Sequence, residues 1–154
     1  KKKKKKGSIG RCSYYSLKQL EQLLSTNNCN KCDLRTVDLK NRNLTNANLQ
    51  EADLRNSDLK NTTFKDANLA NSRLKFADLT NAVFDGADLR GATLRNAVIE
   101  NSSFDEANLE SVIWVDSKIC QKGSIGRCVP CTTTEKLLNS LNLVNLKCTT
   151  EDLK

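Results

Sequence analysis

From Asp33 to Ile119 the chain repeats every five residues. That period fits neither the 3.6 of an amphipathic helix nor the 2 of an ordinary strand, and a fixed period of this kind means a repeat architecture. The large apolar residue at the centre of each repeat falls at Leu34, Leu39, Leu44, Leu49, Leu54, Leu59, Phe64, Leu69, Leu74, Leu79, Phe84, Leu89, Leu94, Ile99, Phe104, Leu109, Trp114 and Ile119, eighteen repeats without an insertion. Two residues ahead of the centre the side chain is small, as at Ala47, Ala52, Ser57, Thr62, Ala67, Ser72 and Ala77. Positions two apart on extended backbone point the same way, so each repeat sends one large and one small side chain inward. The three other positions, rich in Asn, Asp, Lys and Arg, turn the chain on the outside.

The stretches "NANLQEADLRNSDL" and "GADLRGATLRNAVI" resemble the A(D/N)Lxx motif of the pentapeptide-repeat family. The resemblance implies a right-handed quadrilateral β-helix, with four pentapeptides forming one coil. The residues test that implication independently. Phe occupies a centre only at Phe64, Phe84 and Phe104, twenty residues apart, as stacking on one side of a four-repeat coil requires. Eighteen repeats then make about 4.5 coils, a rod roughly 20 Å long at a strand spacing of about 4.8 Å. Val37, Arg42 and Val112 depart from the small-residue rule. Arg42 is the serious misfit, because a guanidinium cannot be buried unpaired, and the first coil is expected to be splayed or partly open there.

The expected organisation is a basic disordered tail at 1–11, an N-terminal helical cap at 12–32, the β-helix at 33–119 and a cysteine-rich helical cap at 120–154. A solenoid's terminal coils present unpaired backbone and bare core, so both ends need covering. Ser16 with Gln19 reads as the start of a helix carrying Leu17, Leu20 and Leu24 over the first coil. Thr132 with Glu135 reads as a capping box, followed by Leu137, Leu138, Leu141 and Val144 at helical spacing. Phe76, Val83, Val98, Ile113 and Val115 fall on nominally outward positions.

The net charge of +7 is uneven. Residues 1–32 carry nine Lys and Arg against one acidic residue, residues 33–119 carry eleven against fourteen, and residues 120–154 carry five against three. The basicity therefore sits in Lys1–Lys6, a block that repels itself and stays solvated. The membrane contact expected is through that tail alone, at about 1 kcal/mol per Lys on an anionic surface. No nucleic-acid partner is expected. The first residue is Lys, which suggests a processed chain, and no apolar run approaches the roughly 18 residues that span a membrane.

Folded onto four sides, Arg35, Arg55, Lys75 and Arg95 form one column, and Asp38, Asp58 and Asp78 form a neighbouring one. The two columns are expected to neutralise each other as a surface ion-pair network, or the basic one serves as a stripe where a partner docks. Asn41, Asn61, Asn81 and Asn101 form a further column, read as a side-chain ladder satisfying backbone groups at the turns.

All seven cysteines lie outside 33–119: Cys12, Cys29, Cys32, Cys120, Cys128, Cys131 and Cys148. Clustering at the caps favours disulfides and so an exported compartment, whether periplasmic, extracellular or of thylakoid-lumen type. Cys120 with Cys128 and Cys131 with Cys148 are the expected pairs, while Cys29 and Cys32 pair with each other or one of them takes Cys12. A single four-thiolate zinc site would need the two CxxC pairs to meet, and the rod separates them. A thiol-redox role for Cys128-Val129-Pro130-Cys131 lacks the βαβ surroundings of such motifs. The sequence contains no His, so no Ser-His or Cys-His pair exists, and no Gly-rich phosphate loop occurs. No catalytic residue, metal or cofactor is expected.

The expectation is a non-catalytic structural or protein-interaction module whose protein partner the sequence does not identify. The resemblance also implies an alternative, a topoisomerase-binding DNA mimic, although such members are longer and strongly acidic. Finally, "KGSIGRC" occurs at Lys6–Cys12 and again at Lys122–Cys128. Each copy precedes a Leu-rich stretch and a Lys-Cys pair. The duplication reads either as a repeated cap or as the joint of an array in which rods follow one another end to end.

Overall fold

The computed structural model describes residues 14–129. It opens with one helix, α1 (Tyr14–Thr26), and continues as a solenoid whose regularity lies in its bridges. From Asn28↔Asn48 to Thr93↔Ile113 every bridge is parallel and joins residues twenty apart, so four pentapeptides make one coil.

The hydrogen bonds explain why five residues suffice. In a repeat such as 67–71, the N–H of the centre Leu69 donates to Asp88 O on the next coil at 2.7 Å, and that of Asn68 to Ala47 O on the previous coil at 2.9 Å. Asn71 N–H donates to Arg90 O at 2.8 Å, while Ala67 N–H closes the preceding turn on Phe64 O at 3.0 Å. The remaining N–H, of Ala70, goes to the side-chain Oδ1 of Asn68 at 3.1 Å. The same Asx arrangement recurs at Asp38, Asn43, Asn48, Asp53, Asp78, Asp88 and Asn108. Where Asp or Asn stands before the centre, it thus completes the donor accounting of the repeat.

Two residues after each centre the backbone is left-handed, with φ between 54° and 60° at every non-Gly position from Lys31 to Ser111 and 69° at Gly86 and Gly91. Asn tolerates this conformation better than other non-Gly residues, which accounts for Asn41, Asn46, Asn56, Asn61, Asn71, Asn81, Asn96 and Asn101. Gly91 has a second reason: Asn71 Oδ1 lies 2.3 Å from where its Cβ would stand.

Inside, the centres from Leu34 to Leu94 form one continuous core, alternating from Leu49 onward with buried Ala, Ser and Thr. Phe64, Phe84 and Phe104 stack in one column, with ring centroids 4.9 and 5.0 Å apart and interplanar angles of 11° and 3°. Trp114 closes the column edge-on, 5.2 Å from Phe104.

The ends differ from expectation in detail. The ladder starts at Asn28, and Cys29 fills a centre of the first coil, fully buried. That coil is not splayed at Arg42: Leu44 N–H donates to Thr63 O at 2.7 Å and Thr63 N–H to Arg42 O at 2.9 Å. The Arg42 side chain is exposed, since the outermost coil lets it reach water. Helix α1 begins two residues before Ser16, so Ser16 is no N-cap; it is buried and donates from Oγ to Asp33 O at 3.2 Å. Gln19 Oε1 accepts Asp33 N–H at 2.6 Å. The face of α1 packed on the rod carries Leu20 and Leu23, whereas Leu17 and Leu24 are exposed.

Parallel pairing stops at Ile113. Trp114 N–H bonds Lys118 O at 2.7 Å, and Ile119 pairs with Ile113 in the antiparallel sense instead of filling a further centre. The chain then returns along the last coil. Ser111 N–H donates to Cys120 O at 2.9 Å, Leu109 N–H to Ser124 O at 2.8 Å and Gly126 N–H to Ala107 O at 2.9 Å. This return strand covers the edge that a solenoid otherwise leaves open. The helix expected from Thr132 to Val144 lies outside the described residues. Among the described residues no helix is long and apolar enough to cross a membrane.

Candidate functional site

The side built on Leu34, Leu54, Leu74 and Leu94 carries the basic column Arg35, Arg55, Lys75 and Arg95, and the residue before each centre decides what each cation does. In the first two coils it is Asp33 or Asp53. Arg35 donates from Nε and Nη2 to the two oxygens of Asp33 at 2.7 and 2.6 Å, and Arg55 does the same to Asp53 at 2.8 and 2.6 Å. In the third coil the position is Arg73, which reaches back to Asp53 at 3.8 Å, and in the fourth it is Thr93. Lys75 therefore has no carboxylate in its own repeat and lies 4.9 Å from the centroid of the Phe76 ring. Two carboxylates face five cations on this side, and the excess gathers at Arg73, Lys75 and Arg95.

Phe76 stands in the middle of that excess. Its exposure is 51% and its φ is +60°, at a corner where the same column otherwise has Thr36, Asn56 and Asn96. A bulky residue in the left-handed region is uncommon, and such backbone costs of the order of 1–3 kcal/mol. Sequence reading placed Phe76 among the outward residues without joining it to the basic column; its position one residue after Lys75 was the available signal.

The Asp38 column does not neutralise the Arg35 column as expected. The Asp38 column is balanced within its own side, because Asp before and Lys after one centre lie within reach. Lys40 sits 3.2 Å from Asp38 and 3.6 Å from Asp58, and Lys60 sits 3.8 Å from Asp58 and 3.2 Å from Asp78. Asn61 Nδ2 donates to Asn41 Oδ1 at 2.9 Å and Asn81 Nδ2 to Asn61 Oδ1 at 3.0 Å, so this ladder runs between side chains rather than to the backbone.

Several carboxyls are held below their usual range. The Arg35 side chain does this for Asp33, the Lys40 backbone N–H first of all for Asp38, and the Arg90 side chain for Asp88. A group whose pKa is depressed on folding contributes stability above its unfolded pKa and loses it as pH falls through the folded value. Stability is therefore expected to be flat from neutral pH down to about 5 and to decline below about 4, near the unfolded carboxylate pKa. Denaturant midpoints measured across that range check this; a decline beginning above pH 6 would contradict it.

Cys29 is bonded to Cys32 across the first corner, and Cys120 to Cys128 across the start of the return strand, with Cα separations of 5.3 and 5.0 Å. With Cys128 joined to Cys120, the Cys128–Cys131 spacing does not form a paired dithiol here. Cys12, Cys131 and Cys148 lie outside the described residues. Among the described residues no group of three or more acidic or Cys side chains is arranged to hold a metal ion.

The twenty-residue coil and the Asx-centred repeat meet their counterpart in the family described as pentapeptide repeats, which matches in eight copies over residues 43–75 and 72–110. The chain belongs to the pentapeptide-repeat family. Among solved structures of that family it is similar to Rfr23 from the cyanobacterium Cyanothece 51142, with 29% identity over 62% of this chain and 82% of the other and a TM-score of 0.47. It is 30% identical to alr5209 from Nostoc Pcc 7120, covering 64% of this chain and 74% of that one, with a TM-score of 0.27. HetL from Nostoc sp. Strain PCC 7120, described as involved in heterocyst differentiation regulation, is 26% identical over 60% of this chain, with a TM-score of 0.36; the chain spans 53% of HetL. No curated protein sequence matches it.

Proposed function

We propose that this chain is a non-catalytic protein-interaction module that docks a partner on the Arg35–Arg95 side, at Arg73, Lys75, Phe76 and Arg95. The observation that carries this reading is the uncompensated cationic end of an otherwise balanced side, with an exposed aromatic at its centre. On the Asp38 side, by contrast, cations and carboxylates interleave, so little unpaired charge is left there for a ligand, and exposed pairs of this kind contribute little to stability. The fitting partner presents an acidic segment with an apolar residue that lies against Phe76, since exposed aromatics and Arg are favoured as binding anchors. The near balance of eleven Lys and Arg against fourteen acidic residues over 33–119 also argues against DNA mimicry, which needs a strongly anionic surface. The cystines at both ends of the rod support an exported, oxidising compartment, and the Lys1–Lys6 tail supplies a further contact to an anionic membrane surface.

Capture from native extract with the wild-type chain and with an Arg73→Glu, Lys75→Glu, Arg95→Glu variant tests the reading. A protein retained by the wild type should bind the variant at least tenfold more weakly by calorimetry. Equal affinity of both chains for every recovered protein would remove this side as the docking surface.

A further inference from the structure

The heptapeptide Lys122–Cys128 has a task at nearly every residue. Gly123 and Gly126 take left-handed φ of +83° and +65°, and a Cβ on Gly126 would stand 3.4 Å from Glu106 N. Ser124 is buried; its carbonyl accepts Leu109 N–H at 2.8 Å and its Oγ accepts Val129 N–H at 3.2 Å. Ile125 bridges Asn108 in the antiparallel sense, and Cys128 is bonded to Cys120. Together these requirements define a strand that closes a last coil. The same seven residues stand at Lys6–Cys12, with Ser13 alone between them and α1.

Among the described residues both ends of the rod are already covered. The first coil is covered by α1, and the edge at the far end of the rod is occupied by Lys122–Cys128. We propose that Lys6–Cys12 of one molecule exchanges with Lys122–Cys128 of a second, joining rods head to tail. Identical sequences make the same backbone bonds, so the exchange is nearly balanced in contacts, as in domain swapping generally. It also carries α1 of the incoming molecule to the receiving end. The outward Leu17 and Leu24 lie seven residues apart on one helix face, 58% and 45% exposed, and this apolar face has no cover within the described rod. Burying it against the receiving end favours the joined state. This inference is independent of the docking side, which lies along the rod rather than at its ends.

The covalent step is a thiol–disulfide exchange. The Cys12 thiolate attacks Cys120 Sγ, the Cys12–Cys120 bond forms as Cys120–Cys128 breaks, and Cys128 leaves as a thiolate that takes up a proton. No net oxidation occurs. Cys120 is 1% exposed, so the bond exchanges as the strand is displaced and not before. Because donor and acceptor lie at opposite ends, the contact does not close on itself and propagates as a line of rods.

The test mixes ordinary and ¹⁵N-labelled 154-residue chain in a glutathione buffer, followed by non-reducing gels, peptide mapping and sedimentation. Expected are a ladder that collapses on reduction and a Cys12–Cys120 peptide of mixed isotopic mass. Gly10→Val, at the position matching Gly126, should abolish the ladder without changing the thermal melt of the rod. Cys12→Ser should lose the covalent ladder yet retain association in sedimentation. A strictly monomeric chain, a Cys12–Cys120 peptide of unmixed mass, or multimers whose linkage omits Cys12 would each overturn the proposal.

Discussion

Replacing Phe84 with alanine is expected to lower stability by about 3–5 kcal/mol, the usual range for emptying a packed aromatic site. Phe84 is fully buried and is the middle ring of three, stacked 4.9 Å from Phe64 and 5.0 Å from Phe104. Truncation therefore leaves both neighbours without a face to pack on. The side chains around the column are attached to coils that are hydrogen-bonded above and below, so they cannot collapse far into the void. Phe64→Ala should also be costly, while Phe104, next to the last coil and 9% exposed, should cost less because Trp114 can shift toward the gap. Urea unfolding of the three variants measures this order. Equal losses at all three positions would mean that the rings contribute by burial alone and not as a column.

That column was legible in the sequence because it depends on nothing but spacing. A centre recurring at twenty residues in three Phe, among fifteen other centres that avoid Phe, fixes the number of repeats per coil before any geometry is known. The Asn column at the corners was legible as a column, but its cause was not: the left-handed φ at Asn41, Asn61 and Asn81 is a backbone fact that spacing cannot express. The Asp or Asn before most centres was visible as motif, yet its role as acceptor for the next orphan N–H emerges only when the other four donors of the repeat are accounted for. The ends were hardest to read. Cys29 fills a centre although it belongs to no apolar series, and Ile119 keeps the period while the backbone has already reversed at Ser117, φ +69°. Arg42 was judged by the rule of the interior, but it lies in the outermost coil, where water is within reach of its side chain. The candidate site was half legible. The basic column followed from the period, whereas the loss of its counter-charges at Arg73 and Thr93 required knowing that each cation is paired within its own repeat.

Replacing Cys120 and Cys128 together by alanine is expected to destabilise the chain by roughly 2–3 kcal/mol, from the loop entropy that a cystine with a sequence separation of 8 removes from the unfolded chain. The corresponding Cys29, Cys32 double variant, with a separation of 3, should lose only about 1.5 kcal/mol on the same reckoning. The difference in consequence is larger than the difference in energy. The second cystine closes a corner inside the first coil, whereas the first holds the return strand whose pairing satisfies Ala107, Leu109, Ser111 and Val112 on the last coil. When that strand frays, the coil presents a row of free N–H and C=O groups beside partly buried Ile113, Trp114 and Val115, the kind of edge on which other strands add. The Cys120, Cys128 variant should therefore aggregate on warming below its own unfolding midpoint, with thioflavin fluorescence rising before the far-ultraviolet signal of the rod is lost. The Cys29, Cys32 variant should melt without this early phase, because its first coil keeps the cover of α1. If both variants stay soluble to their midpoints, the backbone bonds alone hold the return strand in place and the cystine adds stability without guarding the edge.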